Sequence, residues 1–334
     1  MHADARTIAR TALLLLLLVT LAGCGGDGRD SDDAAGGETT TAPTSESGGD
    51  LSGRIQADGS STVGPYTTAA AEAFRGVEPG VQVTVGVSGT GGGFERFCRG
   101  ETDLSNASRA IKDEEIAACK KEGIEYVEFQ VANDALTVVA NTENDWATCL
   151  TVEQLKKIWN TGSKVGNWNQ VDASFPDQEL KLFGPGTDSG TFDYFTDEIN
   201  GEEGASRSDY GASEDDNVIV QGVTGEKGGL GYFGFSYFEE NQDSLKALEI
   251  DAGEGCIAPS VETAQDGTYK PLSRPLFVYA KKASFKRPEV EAFIKYLLDN
   301  ETQIAESSQY VPLTDEQLTK AKSDYEAAIE EAKA

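Results

Sequence analysis

The chain has 334 residues, enough for two domains of ordinary size or for one large domain. Its 28 basic and 57 acidic residues give a formal net charge of −29, which argues against binding to nucleic acid or to an anionic membrane surface. Hydrophobic residues at 38% and charged residues at 25% are typical of a soluble globular protein. Any anionic ligand must therefore be held by local dipoles and charges, against the field of the whole molecule.

The N-terminus has the features of an export signal. The weakly basic MHADARTIAR precedes the apolar run TALLLLLLVTLAG, which is of signal-peptide length and short for a membrane span. The run ends in LAGC, which resembles a bacterial lipobox. We expect residues 1–23 to be a lipoprotein signal peptide and residues 24–50 to be the lipidated Cys24 followed by a flexible linker. The alternative is an ordinary secretory signal with a cysteine after its cleavage site.

Histidine and cysteine usage limits the chemistry. The only histidine is His2, inside the predicted signal. The exported chain would therefore have no Ser-His-Asp triad, Cys-His pair or histidine metal site, and we expect no metal and no cofactor. Four cysteines remain besides Cys24, and an even number in an oxidising compartment indicates two disulfides with three possible connectivities.

After the linker, strand patterns alternate with helix patterns. Strands are predicted at GRIQA (53–57), VQVTVGV (81–87), IEYVEFQVA (124–132), ALTVVAN (135–141), ELKLFGPG (179–186), NVIVQGV (217–223), GLGYFGFSYF (229–238) and PLFVYAKK (275–282). Helices are predicted at 63–77, 94–100, about 112–121, 152–159 and from 288 onward, with a capping box of Thr151 and Gln154. This alternation indicates an α/β protein with mainly parallel sheets.

Three strands end in small hydroxyl and glycine clusters that open helices. The clusters are DGSSTVGP (58–65), SGTGGGF (88–94) and GTDSGTF (186–192). A helix N-terminus offers free N–H groups and the positive end of a dipole, glycine allows close approach, and hydroxyls add donors. One such cluster alone is better explained as a plain N-cap. Three at equivalent topological points favour convergence on a small oxyanion.

Together, DGSSTVGP, VSGTGGGFERFCRGETDLSNASRAI, GTDSGTFDYF and NVIVQGVTGEKGGLGYFGFSYF resemble the phosphate-binding component of the bacterial phosphate ABC importer. The resemblance covers about residues 53–315. It implies a two-lobed flytrap fold of the periplasmic-binding-protein type II class, with lobe I at 51–132 plus 272–334, lobe II at 133–271, and PLSRPLFVYA as the return crossing. It also implies an extracytoplasmic, lipid-anchored monomer that binds inorganic phosphate and delivers it to ABC permease subunits without catalysis.

The two proposed lobes favour one disulfide pairing, and the resemblance implies a ligand set. Bridges Cys98–Cys119 and Cys149–Cys256 are favoured because each then stays within one lobe. The ligand-binding turns matched by the family's motifs contain Ser60, Ser61, Thr62, Thr90, Gly91, Gly92, Ser189, Gly190 and Thr191.

Two positions depart from the family pattern. Arg109 in NASRA stands where the family has the aspartate that accepts the phosphate proton, and Pro185 stands where it has an arginine. Arg109 is therefore expected to bind two phosphate oxygens with its fork of N–H groups. Asp188 is the first candidate for the proton acceptor, and Asp58 and Asp216 are the next candidates. The alternative role for Asp188 is to stabilise its own turn.

Other functions fit the sequence less well. DSGT resembles an aspartic-protease signature, but a second copy is missing from the sequence. A hydrolase using the Ser/Asp-rich motifs would lack a histidine base or metal ligand. The closer alternatives are a binding protein for another tetrahedral oxyanion (sulfate, arsenate or molybdate) and a tethered phosphate sensor or adhesin. The aromatic residues at 232–238 and the three tryptophans are interpreted as packing residues.

Overall fold

A computed structural model describes residues 51–187 and 189–333. The predicted signal peptide, Cys24, the linker and Asp188 lie outside the described residues. The strands are β1 Ser52–Gly59, β2 Gly80–Val87, β3 Leu104–Ala107, β4 Tyr126–Asn141, β5 Cys149–Thr151, β6 Lys181–Pro185, β7 Gly211–Ser213, β8 Gly229–Gly234, β9 Leu245–Ala247, β10 Glu249–Asp251, β11 Cys256–Ile257 and β12 Ser273–Lys281.

Helices alternate with these strands through most of the chain. They are α1 Val63–Val77, α2 Gly89–Cys98, α3 Asp113–Lys121, α4 Val152–Trp159, α5 Trp168–Val171, α6 Gly190–Phe195, α7 Asp216–Gly225, α8 Phe235–Asn241, α9 Val261–Gln265, α10 Pro288–Asp299, α11 Glu301–Ser307 and α12 Asp315–Lys333. A π-helical segment, Thr196–Asn200, continues α6, and a 3₁₀ segment, Lys282–Lys286, follows β12. In the part of the chain that the structure describes, no helix has both the length and the apolar character needed to cross a membrane.

The main sheet has the strand order β2-β1-β3-β12-β4-β8-β6-β7, with β9 also paired to β4. Pairing is parallel between β1 and its neighbours β2 and β3, and again between β6 and its neighbours β7 and β8. The central strands β12 and β4 pair antiparallel with each other and with the strands beside them. The α/β class is therefore as predicted, with two parallel regions joined by an antiparallel centre.

Strand β4 connects the two parallel regions. The sequence predicted two strands at this place, but Tyr126–Asn141 is one continuous strand. Its first part pairs with β12, from Tyr126 to Ala135, and its second part pairs with β8, from Leu136 to Ala140. Because β12 also pairs with β3, the two strands β4 and β12 form the connection between the halves of the sheet.

Each half of the sheet has its own hydrophobic core. One large cluster of buried apolar side chains is drawn from residues 55–132 and 276–328 and contains Tyr66 and Phe293. The other is drawn from residues 136–272 and contains Trp159, Trp168 and Tyr232, all fully buried. Burial of aromatic rings of this size is a large favourable contribution to folding.

Several predicted elements match the structure closely. Helix α1 occupies the residues predicted for it, and α4 begins with the predicted capping box. In that box Thr151 Oγ1 accepts from the Gln154 N–H at 3.1 Å, while Gln154 Oε1 accepts from the Thr151 N–H at 2.9 Å. Helix α2 starts earlier than predicted, at Gly89, so most of the glycine cluster is already helical.

The prediction of a strand at NVIVQGV was wrong, because these residues belong to helix α7. Asp215 caps the helix by accepting from the Asn217 N–H at 3.0 Å, and the buried side chains of Ile219 and Val223 lie one turn apart on one face. Tertiary packing has thus overridden the β-branched composition. The strand predicted at GLGYFGFSYF also ends early, at Gly234, where α8 follows.

The four cysteines of the described residues form two disulfides. The structure pairs Cys98 with Cys119, joining α2 to α3, and Cys149 with Cys256, joining β5 to β11. This is the pairing that the sequence analysis favoured. Glu249 lies near the second pair, but both sulfurs are bonded to each other and are therefore not available as thiolate ligands.

Candidate functional site

A cavity of about 430 Å³ lies where the N-termini of α1 and α2 meet the first turns of α6. Its lining falls into two walls. The donor wall carries hydroxyls, glycines and cationic groups: Ser60, Ser61, Thr62, Ser88, Gly89, Thr90, Gly91, Gly92, Ser108, Arg109 and Lys112. The acidic wall comes from α6 and the residues after it: Asp193, Tyr194, Asp197, Glu198 and Glu203. Arg274 of β12 also lines the cavity.

The turn before α1 carries three hydroxyl side chains that line the cavity. Ser60 is buried, and its Oγ accepts from the Val63 N–H at 3.4 Å. The Oγ of Ser61 donates to Oδ2 of Asp193 on the acidic wall, at 3.3 Å. Thr62 is also buried and precedes the first residue of the helix. All three residues line the cavity, and the helix dipole points its positive end at the same place.

The turn that opens α2 lies beside them. Thr90 Oγ1 is 3.1 Å from Ser108 Oγ and accepts from the Ser108 N–H at 3.2 Å. A Cβ added to Gly91 would lie 4.0 Å from Nη2 of Arg109, so the backbone of this turn lies close to the guanidinium. A Cβ on Gly93 would lie 2.5 Å from the backbone of β1, and the missing side chain lets α2 pack directly on that strand.

The turn that opens α6 lies at the edge of the cavity. Ser189 caps the helix by accepting from the Thr191 N–H at 3.2 Å. A Cβ on Gly190 would lie 3.1 Å from Oγ1 of Thr62, so the start of α6 touches the start of α1. Ser189, Gly190 and Thr191 are not among the described residues that line the cavity. Asp188 precedes this turn and lies outside the described residues.

Arg109 lines the cavity and is held by an ion pair. Its Nη1 and Nη2 donate to the two carboxylate oxygens of Glu115, at 2.9 and 2.8 Å, and Nη1 also donates to the Ala110 carbonyl at 3.1 Å. The guanidinium carbon lies 5.8 Å from the centre of the Phe94 ring. The hydrogen bonds with Glu115 raise the pKa of Arg109, so the group stays charged. These contacts engage three of its five N–H groups.

Arg274 is a site residue that the sequence analysis did not identify. Its Nε donates to Oδ2 of Asp134 at 3.2 Å, and its Nη2 donates to Oγ1 of Thr62 at 2.8 Å. The guanidinium carbon lies 3.4 Å from the centre of the Tyr194 ring. A signal was present in the sequence, since Arg274 is a charged residue at the start of an apolar strand in the predicted return crossing.

Asp193 is the second residue that sequence reasoning missed. It follows Gly190 by three residues, so it lies on the same helical face about one turn later. Burial raises the pKa of Asp193, although Ser61 and Arg274 act in the opposite direction. Burial also raises the pKa of Glu198. The acidic wall therefore contains carboxylates that are better proton acceptors than exposed ones.

The other predicted acceptors have different surroundings. Asp58 is buried and accepts from Ser88 Oγ at 2.7 Å, and it also pairs with Arg96. It is therefore occupied in supporting the α2 turn. Asp216 opens α7, and it is not among the described residues that line the cavity. Burial, with the nearby negative charges, raises the pKa of Asp216 to about 6.

This arrangement suits an oxyanion that carries a proton. Two helix N-termini, several hydroxyls and two guanidinium groups can donate to its oxygens. The carboxylates opposite can accept from a protonated oxygen, whereas they would repel a fully ionised one. Among the described residues, the walls do not bring together a nucleophile and a histidine base, because the only histidine is His2.

A model of the PBP superfamily domain matches residues 37–301 of the chain. The chain belongs to this superfamily. Protein SphX of Synechococcus elongatus is 49% identical to this chain over 262 residues, which are 78% of this chain and 77% of that protein. The phosphate-binding protein PstS of Staphylococcus haemolyticus is 41% identical over 280 residues, 83% of this chain and 87% of that protein.

A solved structure agrees with this assignment. The crystal structure of a possible phosphate binding protein from Planctomyces limnophilus is 48% identical in sequence and superposes with a TM-score of 0.81. The alignment covers 84% of this chain and 99% of that one. The two-lobed α/β fold predicted from the sequence is therefore confirmed at the level of the superfamily.

Proposed function

We propose that this protein binds inorganic phosphate outside the cytoplasm and delivers it to an ABC-type importer, without catalysing a reaction. The observation that carries the proposal is the pairing of a donor wall with an acidic wall across one cavity. Relatives that share two fifths to half of the sequence include a phosphate-binding protein and a possible one, which supports the same ligand.

The proposed ligand contacts on the donor wall are Ser61, Thr62, Thr90, the backbone of Gly91, and Arg109, with Ser60 supporting the turn. Helix N-termini bind anions because their first N–H groups lack helical partners and the dipole adds about 0.3–1 kcal/mol. Arg109 keeps N–H groups beyond those that Glu115 and Ala110 engage. Ser189, Gly190 and Thr191 would reach the ligand from the α6 side when the cavity closes further.

The proposed discrimination between anions comes from Asp193. Phosphate near neutral pH keeps a proton that sulfate lacks. Asp193 lies 3.3 Å from Ser61 Oγ, so a carboxylate faces the ligand position beside a hydroxyl donor. A hydrogen bond that involves a charged group contributes about 1.5–3 kcal/mol, which is enough to separate the two anions. Asp188 remains a second proposed acceptor that the described residues do not include.

The proposed mechanism of uptake is closure of two lobes. Lobe I comprises 51–132 and 272–334, and lobe II comprises 133–271. Support comes from the two separate hydrophobic cores and from their connection through β4 and β12. Binding would stabilise the closed arrangement, and the permease would recognise that arrangement. We further propose that the protein is a monomer, anchored to the membrane through lipidated Cys24.

Calorimetry tests this function. A soluble form that begins after Cys24, freed of bound ligand, is titrated with phosphate and separately with sulfate near neutral pH. We expect one-to-one binding of phosphate and little or no heat with sulfate. Equal or tighter binding of sulfate would identify a different oxyanion as the ligand. No binding of either anion would overturn the proposed function.

A further inference from the structure

Arg274 occupies a special position in the fold. It lies on β12, directly opposite Asp134 of β4, at the antiparallel pair that connects the two halves of the sheet. Its side chain is 17% exposed, and that of Asp134 is 7% exposed, so this is a mostly buried ion pair. A buried ion pair of this kind is a weak source of stability, because desolvation offsets much of the attraction. A reason other than stability is therefore needed for an arginine at this place.

The surroundings of Arg274 fix its guanidinium in one orientation. Asp134 accepts from Nε, Thr62 Oγ1 accepts from Nη2, and the Tyr194 ring lies 3.4 Å from the guanidinium carbon. Tyr194 is itself anchored, since its hydroxyl donates to the Pro271 carbonyl at 2.7 Å. These protein contacts engage two of the five guanidinium N–H groups, and the side chain lines the cavity.

Arg274 also contacts both halves of the molecule. Thr62 belongs to the turn before α1, next to the first hydrophobic core, and Tyr194 is a member of the second core. Arg109, in contrast, forms its ion pair with Glu115, six residues away on the same side of the cavity. The guanidinium of Arg274 is therefore held by contacts with both proposed lobes, and an anion bound to it would be linked to both.

We infer that Arg274 is a ligand-binding residue, whose remaining N–H groups donate to the bound anion and whose contacts with Thr62 and Tyr194 couple that anion to both lobes. The inference rests on the proposed function and adds a residue to the phosphate site. Arg274 is then the guanidinium that contacts the anion between the two lobes. Asp134 and Tyr194 act as positioning residues for it.

Three variants of the soluble form test the inference by calorimetry with phosphate, with thermal unfolding as a check of folding. Arg274→Lys keeps the positive charge but loses the planar set of guanidinium N–H donors. We expect phosphate affinity to fall about tenfold. The double variant Arg274→Met with Asp134→Asn removes both members of the ion pair together, and we expect a fall of about 10- to 150-fold. Arg99→Met, at an exposed position directly after the C-terminal end of α2, is the matched control and should bind as the wild type does.

The outcomes separate the inference from the proposed function. If the folded Arg274 variants bind phosphate within about threefold of the wild type, Arg274 is a structural residue and the inference is wrong. If the double variant does not fold, Arg274→Lys decides alone, because it leaves a cation beside Asp134. If the wild-type protein does not bind phosphate, the proposed function fails, and the inference fails with it.

Discussion

The two walls of the cavity differ in charge and in how their groups are held. On the donor wall, Thr90 is bonded to Ser108 and Arg109 to Glu115, so these two donors are held by contacts within the protein. On the acidic wall, burial raises the pKa of carboxylates such as Asp193. The comparison shows how a protein with a net charge of −29 can bind an anion. In the proposed function, local donors provide the affinity and nearby carboxylates select the anion by its proton content.

The walls also differ in backbone structure. Helices α1 and α2 follow strands β1 and β2, which pair parallel in register from end to end. Helix α6 is short and continues into the π-helical segment Thr196–Asn200, which carries Asp197 and Glu198. π-helical turns are rare and occur often at functional sites. The donor wall thus follows regular parallel strands, while Asp197 and Glu198 of the acidic wall lie in an irregular π-helical segment.

The largest effect is expected from Asp193→Asn, which removes a charged acceptor from the acidic wall. Phosphate should bind about 10- to 150-fold more weakly, because a hydrogen bond to a charged group contributes about 1.5–3 kcal/mol. Sulfate should bind as well as before or better, because a like charge is removed. The ratio of the two dissociation constants, measured by calorimetry near neutral pH, checks this. A ratio within about threefold of the wild-type value would remove Asp193 from the selection mechanism.

The second prediction uses Asp216, a carboxylate with a raised pKa that lies outside the described lining of the cavity. Burial, Asp215 and Glu214 raise its pKa from 3.8 to about 6. The folded state therefore holds this proton more tightly than the unfolded state. The stabilisation of the folded state by this tighter proton binding is fully present below about pH 4. It is lost as the pH rises through about 6.

Asp216→Asn should accordingly stabilise the protein by about 3 kcal/mol at pH 7 and by little at pH 4. Loss of a negative charge at the start of α7 reduces the gain by about 0.3–1 kcal/mol. Urea unfolding of both proteins at the two pH values measures the difference. The phosphate-to-sulfate ratio should not change, in contrast to Asp193→Asn. An equal pH dependence in variant and wild type would contradict the assignment of the raised pKa.

The sequence allowed the donor wall to be predicted better than the acidic wall. Ser60, Thr62 and Thr90 lie in short local clusters at strand ends, and local clusters can be read from a sequence. Arg274 was missed because its partners are distant along the chain: Asp134 is 140 residues away and Thr62 is 212 residues away. The helix α7 was misread for a related reason, since burial of Ile219 and Val223 against the sheet decides its structure.

The smallest effect is expected from Thr90→Val on the donor wall, which keeps the shape and removes one hydroxyl. Thr90 Oγ1 lies 3.1 Å from Ser108 Oγ and accepts from the Ser108 N–H, so the variant loses both of these contacts and one proposed contact with the anion. A hydrogen bond to a charged group contributes about 1.5–3 kcal/mol, and a single neutral hydroxyl donor belongs at the lower end of that range, which predicts phosphate binding that is about tenfold weaker. Thr224→Val is the matched control, because the Thr224 hydroxyl bonds to the Val220 carbonyl within α7. If both variants reduced affinity equally, the loss would reflect the general removal of a hydroxyl, and the donor wall would have to bind through its backbone and guanidinium groups instead.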